Sequence, residues 1–356
     1  MTLEQDAPMV ARSRARELTV VDVVQETSDS VTISFDVPDE IVDDFKYAPG
    51  QFVTLKIPSD RSDQVARCYS LSSSPYVDDF RLEIGVKRTR DGYASNWLCD
   101  NATVGMRMTV LAPSGQFTAK NLDVDMAFFA GGSGITPVLS LVKSALIAGA
   151  GEVVLFYANR DLESVMYGSQ LEQIAVEFPE RFSMVSWLES ERGIPTAQAV
   201  AEILRDHRGA EIFMCGPAPF MDLVERATVE CGVDHSNVHR EVFQSLSGDP
   251  FDTATLRRLS DDDGVATATV YLNGDCISVE WPRNTPLLDV LLSQGHNAPY
   301  SCREGACSAC VCRLVDGEID MVQNNILVDE DVQDGERLAC QALPLTDAVT
   351  VSFDGL

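Results

Sequence analysis

Basic residues are scarce in this chain. Its 27 lysines and arginines stand against 55 aspartates and glutamates, for a net charge of −28 at pH 7. So acidic a surface repels phosphate backbones and anionic lipid, so neither nucleic acid nor a membrane surface is an expected partner. Long apolar runs are missing too. The longest uncharged stretch, residues 126–142, contains Gly131, Gly132, Gly134 and Pro137 and reads as a loop between elements, not a bilayer-spanning helix. The opening MTLEQDAPMVARSRARELTV has no apolar signal core, so the expected location is the cytoplasm. In that reducing compartment cysteines serve as metal ligands, reactive thiols or buried fillers. The four histidines (His207, His235, His239, His296) belong to no motif and carry no expected catalytic role. No internal repeat, Walker A loop or six-residue Rossmann fingerprint occurs.

What is present divides into three regions, and 356 residues suffice for two or three domains. From Glu17 to about Phe117, short alternating runs (Leu18–Val24, Val31–Val37, Gln51–Ile57, Phe80–Val86) with turn residues between them predict an antiparallel β-barrel or sandwich. From Met126 onward, buried runs alternate with helical stretches: strands at Met126–Ala130, Val153–Ala158, Phe182–Trp187 and Glu211–Met214, helices at Pro137–Ala148, Gln170–Phe178 and Pro219–Cys231. That alternation predicts a parallel α/β sheet. A polar segment over 246–264 reads as a linker. Beyond it come a hairpin around Asn273-Gly274, a helix at Pro286–Gln294 and a cysteine-rich loop.

Cys302, Cys307 and Cys310 are spaced C-x4-C-x2-C, and Cys340 follows after a gap of 29 residues. This is the plant-type ferredoxin spacing for a [2Fe–2S] cluster. A loop carrying three thiolates wraps one side of such a cluster, and its small residues (Gly305, Ala306, Ser308, Ala309) let backbone N–H groups approach the sulfurs. A structural zinc site would need paired C-x2-C knuckles, and one pair is present. Cys312 is expected to pack in the core.

The strand Met126–Ala130 feeds Gly131-Gly132-Ser133-Gly134-Ile135-Thr136-Pro137 and then a helix, which is the arrangement of a phosphate cradle. Glu211–Met214 runs into Cys215-Gly216-Pro217 in the same way. Ligands of open α/β sheets bind at the carboxyl ends of strands, so the two loops are expected to face one ligand. Asn159-Arg160 ends the strand between them and is placed to reach a ribose. In the β-rich region, Arg67-Cys68-Tyr69-Ser70-Leu71 offers a cation for a pyrophosphate, an aromatic for a ring and a hydroxyl for a ring nitrogen. Lys87 and Gly92-Tyr93-Ala94-Ser95 add a second phosphate grip.

In this order, RCYSL, GYASNWL, GGSGITP, CGP and C-x4-C-x2-C…C resemble the ferredoxin–NADP reductase superfamily, and within it the three-domain oxygenase reductases with a C-terminal ferredoxin. The match runs from about residue 16 to the end. RCYSLSSSP, HREVF and YSCREGACSACVCRLVDGEIDM carry a narrower resemblance to the reductases of 3-ketosteroid 9α-hydroxylases, with phenylacetyl-CoA epoxygenase reductases as near relatives. The resemblance implies a β-barrel flavin domain over 16–120, an α/β NAD-binding domain over 121–245 and a β-grasp [2Fe–2S] ferredoxin domain over 265–356. It implies that Arg67, Tyr69, Ser70, Leu71, Lys87, Gly92, Ala94 and Ser95 hold a flavin, FAD in preference to FMN. Gly132, Ser133, Gly134, Thr136, Arg160, Cys215, Gly216 and Pro217 would contact the nicotinamide cofactor, and Glu241 and Phe243 would sit by the flavin ring. Tyr69, Ser70 and Cys215 would lie closest to the chemistry, and Cys302, Cys307, Cys310 and Cys340 would ligate the cluster. Asp161 and Glu163 beside Arg160 favour NADH over NADPH. The implied function is a relay from NADH through FAD and the cluster to a Rieske-type terminal oxygenase. A reductase serving a di-iron epoxygenase and a non-catalytic redox-sensing module are the alternatives.

Overall fold

The computed structural model describes residues 14–59, 63–77, 81–246, 248–252, 257–262 and 264–354. Phe80 of one expected strand and residues 247, 253–256 and 263 of the expected linker lie outside them. The described residues form two compact units: one of 17–59 and 67–243, the other drawn from 1–16, 60–66 and 244–356.

The first unit contains two sheets. Strands β1 (Ala15–Thr27), β2 (Ser30–Asp36), β3 (Phe52–Ser59), β4 (Asp63–Ser70), β5 (Arg81–Lys87) and β6 (Arg107–Ser114) pair in the order β4-β3-β6-β1-β2-β5, with helix α1 (Tyr93–Asn101) between β5 and β6. In β1, Leu18 and Val20 are buried while their neighbours face solvent, the alternation of a strand with one face on a core. Leu71 bridges to Ile84, joining the chain after β4 to β5, so the two edges of the sheet meet and it curls on itself as the expected barrel does.

The second sheet of this unit is parallel, in the order β11-β10-β7-β8-β9. It comprises β7 (Met126–Gly131), β8 (Val153–Asn159), β9 (Phe182–Leu188), β10 (Glu211–Cys215) and β11 (Val238–Glu241). Helices α2 (Ile135–Ala148), α3 (Gly168–Glu177), α4 (Glu189–Arg192), α5 (Ala197–Asp206) and α6 (Ala218–Cys231) connect the strands. Every residue of β7 and β8 is buried, because helices cover both faces. Met126, Phe128 and Ala130 pack with Val138, Leu139 and Val142 of α2, while Ala127 and Phe129 point the other way, into a second core with Val200 of α5 and Val224 of α6. Helix α5 has no counterpart among the expected elements. It buries a stripe of Val200, Ala201 and Leu204, and the Thr196 hydroxyl caps it by accepting the Ala199 N–H.

The second unit carries a mixed sheet in the order β13-β12-β18-β14-β16 and a two-stranded sheet of β15 and β17. Its elements are β12 (Val265–Leu272), β13 (Asp275–Pro282), α7 (Leu287–Ser293), β14 (Val311–Asp316), β15 (Ile319–Met321), α8 (Asp329–Gln333), β16 (Glu336–Leu338), β17 (Ala342–Pro344) and β18 (Ala348–Ser352). The expected hairpin turn is there: Asn273 and Gly274 both adopt positive φ, 55° and 83°, as a two-residue type I′ turn requires. Strand β12 pairs antiparallel with β13 and parallel with β18, and α7 packs Leu287, Leu288 and Leu291 into the core, which is the expected β-grasp arrangement. Leu259 and Gly264, read as part of a linker, are bonded to this unit: the Leu259 N–H donates to the Asn284 carbonyl and the Arg283 N–H to the Gly264 carbonyl.

Candidate functional site

Strands β7 and β10 are parallel neighbours in register, Ala130 opposite Cys215, so the two glycine loops leave the sheet side by side. They touch backbone to backbone. A Cβ at Gly134 would stand 2.1 Å from the Cys215 carbonyl oxygen, and one at Gly216 would stand 3.0 Å from Gly131 Cα. The loops form one end of a cavity of about 810 Å³, lined by Gly132 and Ser133 from the first and by Gly216 and Pro217 from the second. Thr136 lies behind the wall, its hydroxyl donating to the Ser133 carbonyl at 2.9 Å, and Gly134 and Cys215 are buried there with it. No side chain caps the start of α2. The glycine turn does so instead: the Ile135 N–H donates to the Gly132 and Ser133 carbonyls.

More of the cavity lining comes from the end of β8, next to β7 in the sheet. Asn159 is buried and lies beside the Tyr157 hydroxyl, yet neither its amide oxygen nor its amide nitrogen makes a regular hydrogen bond. A buried amide left in this state marks the place of a polar ligand group. Arg160 follows it, with Nη2 3.5 Å from Asp29 Oδ2, and Lys87 Nζ lies 3.6 Å from Asp29 Oδ1 and donates to the Ser164 carbonyl at 3.0 Å. Lys87, expected with the flavin phosphates, thus lines the cavity that holds the glycine loops. Burial pulls the Lys87 ammonium below its usual range, and Asp29 acts against that.

Cys215 pairs with Glu241 across β10 and β11. Burial pushes the Cys215 thiol well up, and the Glu241 charge adds to it, so Cys215 is held as a neutral thiol. Glu241 keeps some solvent access but is densely surrounded, and desolvation pushes its carboxyl up to about 8. Phe243 is exposed at the cavity mouth.

Arg67, Tyr69 and Ser70 lie on β4, with Ser70 buried and the other two half-buried on the opposite side, as strand alternation requires. Burial raises the Tyr69 phenol, so it stays protonated. Leu71 is fully buried in the barrel seam, where its backbone N–H donates to the Gln51 carbonyl. Gly92 precedes α1, whose N-terminus has no side-chain cap, and Ala94 and Ser95 are buried in its first turn. The Ser95 hydroxyl accepts the Thr89 N–H at 3.0 Å, and the Asn96 amide donates to the Gly92 and Thr89 carbonyls. This turn presents bare N–H groups beside a strand carrying a cation and a phenol, a donor set that fits the pyrophosphate and ring of a flavin.

In the second unit, Cys302, Cys310 and Cys340 are buried and Cys307 is half-buried. Cys302 contacts Cys307 and Cys340, and Cys340 contacts Cys310. Among the described residues no three His, Cys, Asp or Glu side chains are arranged for a lone metal ion. The thiols stand instead in a chain of pairwise contacts. Those contacts first, and then N–H groups of Glu304 and Ala306 at 3.3 and 3.4 Å from its sulfur, pull the Cys302 thiol down to about 3. The loop is curled inward by positive φ at Arg303, Gly305 and Ser308. Four thiols on one inward-curled loop and one distant segment, with backbone donors to sulfur, fit a thiolate-bound iron–sulfur cluster. Cys312 is turned away and fully buried, its Sγ 3.6 Å from the Arg337 carbonyl.

Two domain families match within the chain: the oxidoreductase NAD-binding domain over residues 128–226 and the 2Fe-2S iron-sulfur cluster binding domain over 270–345. Over 343 residues the chain is 50% identical to the ferredoxin reductase component of 3-ketosteroid-9-alpha-monooxygenase from Rhodococcus rhodochrous, covering 96% of this chain and 97% of that protein. The chain belongs to the ferredoxin reductase components of multicomponent oxygenases. Another member, a component of 1,2-phenylacetyl-CoA epoxidase from Escherichia coli (strain K12), is 30% identical over 95% of this chain and 97% of its own length. The fold is that of phthalate dioxygenase reductase, with a TM-score of 0.56 at 21% identity over 95% of this chain and 98% of the other. As a ferredoxin reductase component, the chain is an oxidoreductase that pairs a flavin- and NAD-dependent reductase with a 2Fe-2S domain and works with a terminal oxygenase. Among the described residues no helix is long and apolar enough to cross a membrane.

Several residues of this reductase carry no motif. Asp29 sits in an ordinary strand turn, and nothing local marks it as the partner of two cations distant in sequence. Phe220 and Arg226 reach the cavity from α6, where helical spacing reads them as packing and surface. Asn159 is marked in the sequence by its position at a strand end, and its unsatisfied amide emerges with the fold.

Proposed function

We propose that this chain moves reducing equivalents from NADH, by way of FAD and a [2Fe–2S] cluster, to a Rieske-type terminal oxygenase acting on a 3-ketosteroid in the cytoplasm. The observation that carries this reading is the 50% identity, spread over 96% of the chain, to the 3-ketosteroid reductase component. The 30% identity to the epoxidase component makes a di-iron partner the weaker reading.

When bound, the nicotinamide supplies a hydride, the flavin splits the electron pair and the cluster carries single electrons. The chain's own residues bind and orient. Gly132, Ser133, Gly134, Gly216 and Pro217 bring bare backbone to the nucleotide, with Thr136 fixing the first loop from behind. Arg67, Gly92, Ala94 and Ser95 hold the flavin phosphates, with Lys87 between them and the nucleotide. Tyr69, Ser70 and Leu71 fix the ring edge, and Phe243 covers the mouth. Cys215 and Glu241, both protonated at neutral pH, leave the place of hydride transfer without fixed negative charge. Cys302, Cys307, Cys310 and Cys340 hold the iron.

Three features support NADH. Arg160 is already paired with Asp29, and Asp161 and Glu163 follow it. A 2′-phosphate would meet that cation neutralised. The test is an anaerobic titration of the purified protein with NADH, followed by absorbance. Flavin and cluster bands are both expected to bleach at about stoichiometric NADH. Flavin bleaching without the cluster, or a response to NADPH alone, would sink the reading.

A further inference from the structure

Arg257 belongs to none of the motifs above and falls in the polar run between domains. Its side chain nevertheless reaches the ferredoxin core. Nε and Nη2 donate to the two carboxylate oxygens of Asp289 at 2.8 and 3.1 Å, and its backbone N–H donates to Oδ2 at 3.2 Å. The guanidinium extends further. Nη1 donates to the Arg303 carbonyl at 2.5 Å and Nη2 to the Cys340 carbonyl at 3.0 Å. Asp289, 1% exposed on α7, also accepts from Arg303 Nη2 at 2.9 Å, and Arg303 is itself 6% exposed. One buried carboxylate thus fixes two guanidiniums. One of them grips the backbone of both segments that supply the thiols: the residue after Cys302, and Cys340 itself.

These two segments are far apart in the chain. Besides Arg257 they are joined by Gln341 Nε2, which donates to the same Arg303 carbonyl at 3.1 Å, and by the Ala339 N–H, which donates to the Cys310 carbonyl at 3.0 Å, but neither of these carries a charge. A guanidinium is a rigid planar fork, so it fixes both carbonyls in one plane, which a flexible ammonium cannot do. The Arg257–Asp289–Arg303 set also carries one net positive charge in a shielded place beside the thiols, where charges act strongly.

We propose that Arg257 is a positioning residue for the iron–sulfur group: it ties the Cys340 segment to the Cys302 loop, and its charge favours the reduced state. This rests on the reading of Cys302, Cys307, Cys310 and Cys340 as the cluster ligands.

The test uses the full-length protein as purified, with Arg257→Gln and Arg257→Lys. Two quantities are read: the rate at which cluster absorbance is lost to an iron chelator, and the cluster midpoint potential by optical redox titration. Arg257→Gln is expected to lose its cluster about tenfold faster, equivalent to about 1.4 kcal/mol, and to have a more negative midpoint. Arg257→Lys keeps the charge but not the fork, so it is expected to lose the cluster faster while holding the wild-type midpoint. Loss rates within twofold of wild type in both variants would overturn the positioning role. An unchanged midpoint in Arg257→Gln would overturn the charge effect. Should Arg257→Gln fail to accumulate, the loss rate of Arg257→Lys decides alone. Wild-type protein without cluster absorbance would overturn the ligand reading instead, a failure separate from that of Arg257.

Discussion

The nucleotide cleft and the cysteine cradle hold their groups by different means. In the cleft, the wall is bare backbone from two glycine loops, the Asn159 amide is buried without regular partners, and Asp29 stands 3.5–3.6 Å from two cations. In the cradle most polar groups interlock: Asp289 accepts from both Arg257 and Arg303, and Arg257 reaches the loop backbone, while Arg303 Nε is the guanidinium nitrogen left buried without a partner. The difference follows from residence. A ligand that must enter and leave needs donors and acceptors kept vacant for it, at some cost in stability. A group that stays is best enclosed by contacts that satisfy one another.

Four substitutions test this contrast, from the largest expected effect to the smallest. Cys340→Ser removes the thiol contributed by the distant segment, and the purified protein is expected to lack the cluster's visible bands while its flavin is still reduced by NADH. Full cluster absorbance in that variant would break the assignment. Gly134→Ala drives a methyl against the Cys215 carbonyl. It is expected to cost about 1–3 kcal/mol of stability and to raise KM for NADH about tenfold, with cluster content untouched. Normal KM and Tm would show that the two loops are less tightly seated. Asp29→Asn frees Arg160 and Lys87 while keeping an acceptor for the Thr27 hydroxyl. Titration with NADP⁺ is expected to show about tenfold tighter binding, about 1.4 kcal/mol, with NAD⁺ affected less. Equal gains for both nucleotides would remove Asp29 from discrimination.

The last is a pH effect. Glu241 in the folded protein titrates near 8, above its unfolded value of about 4.3. The folded state therefore binds the proton more tightly. That stabilisation is fully present below about pH 4.3 and is lost as pH rises through 8. Glu241→Gln is expected to have a Tm that falls less between pH 6 and 9 than wild type, opening a gap of several degrees. Parallel Tm curves would show that Glu241 is better solvated than its surroundings indicate.

Much of this was legible in the sequence because it is local. The strand-to-glycine-loop runs at 126–137 and 211–217, the Asn273-Gly274 turn and the cysteine spacing each encode their geometry within a few residues. Helix α5 is absent from the expected elements although its spacing is amphipathic, with Val200, Ala201 and Leu204 inward and Glu202, Arg205 and Asp206 outward. The ion pairs leave no such mark in the sequence. Asp29 meets Lys87 and Arg160, and Arg257 meets Asp289, across long sequence separations, and no spacing rule predicts which surface charges the fold will bring together. Lys87 shows the same limit: its place in the nucleotide cavity depends on how barrel and parallel sheet pack within one unit.

Strand β18 lies at the centre of its sheet, flanked by β12 and β14, although it is formed by residues 348–352. Without it the β12–β13 hairpin and the β14–β16 pair would each have an open edge and no strand in common. The strands of the nucleotide cleft all end by residue 241. In chain order the strands of the cleft therefore all precede the strand that unites the ferredoxin sheet.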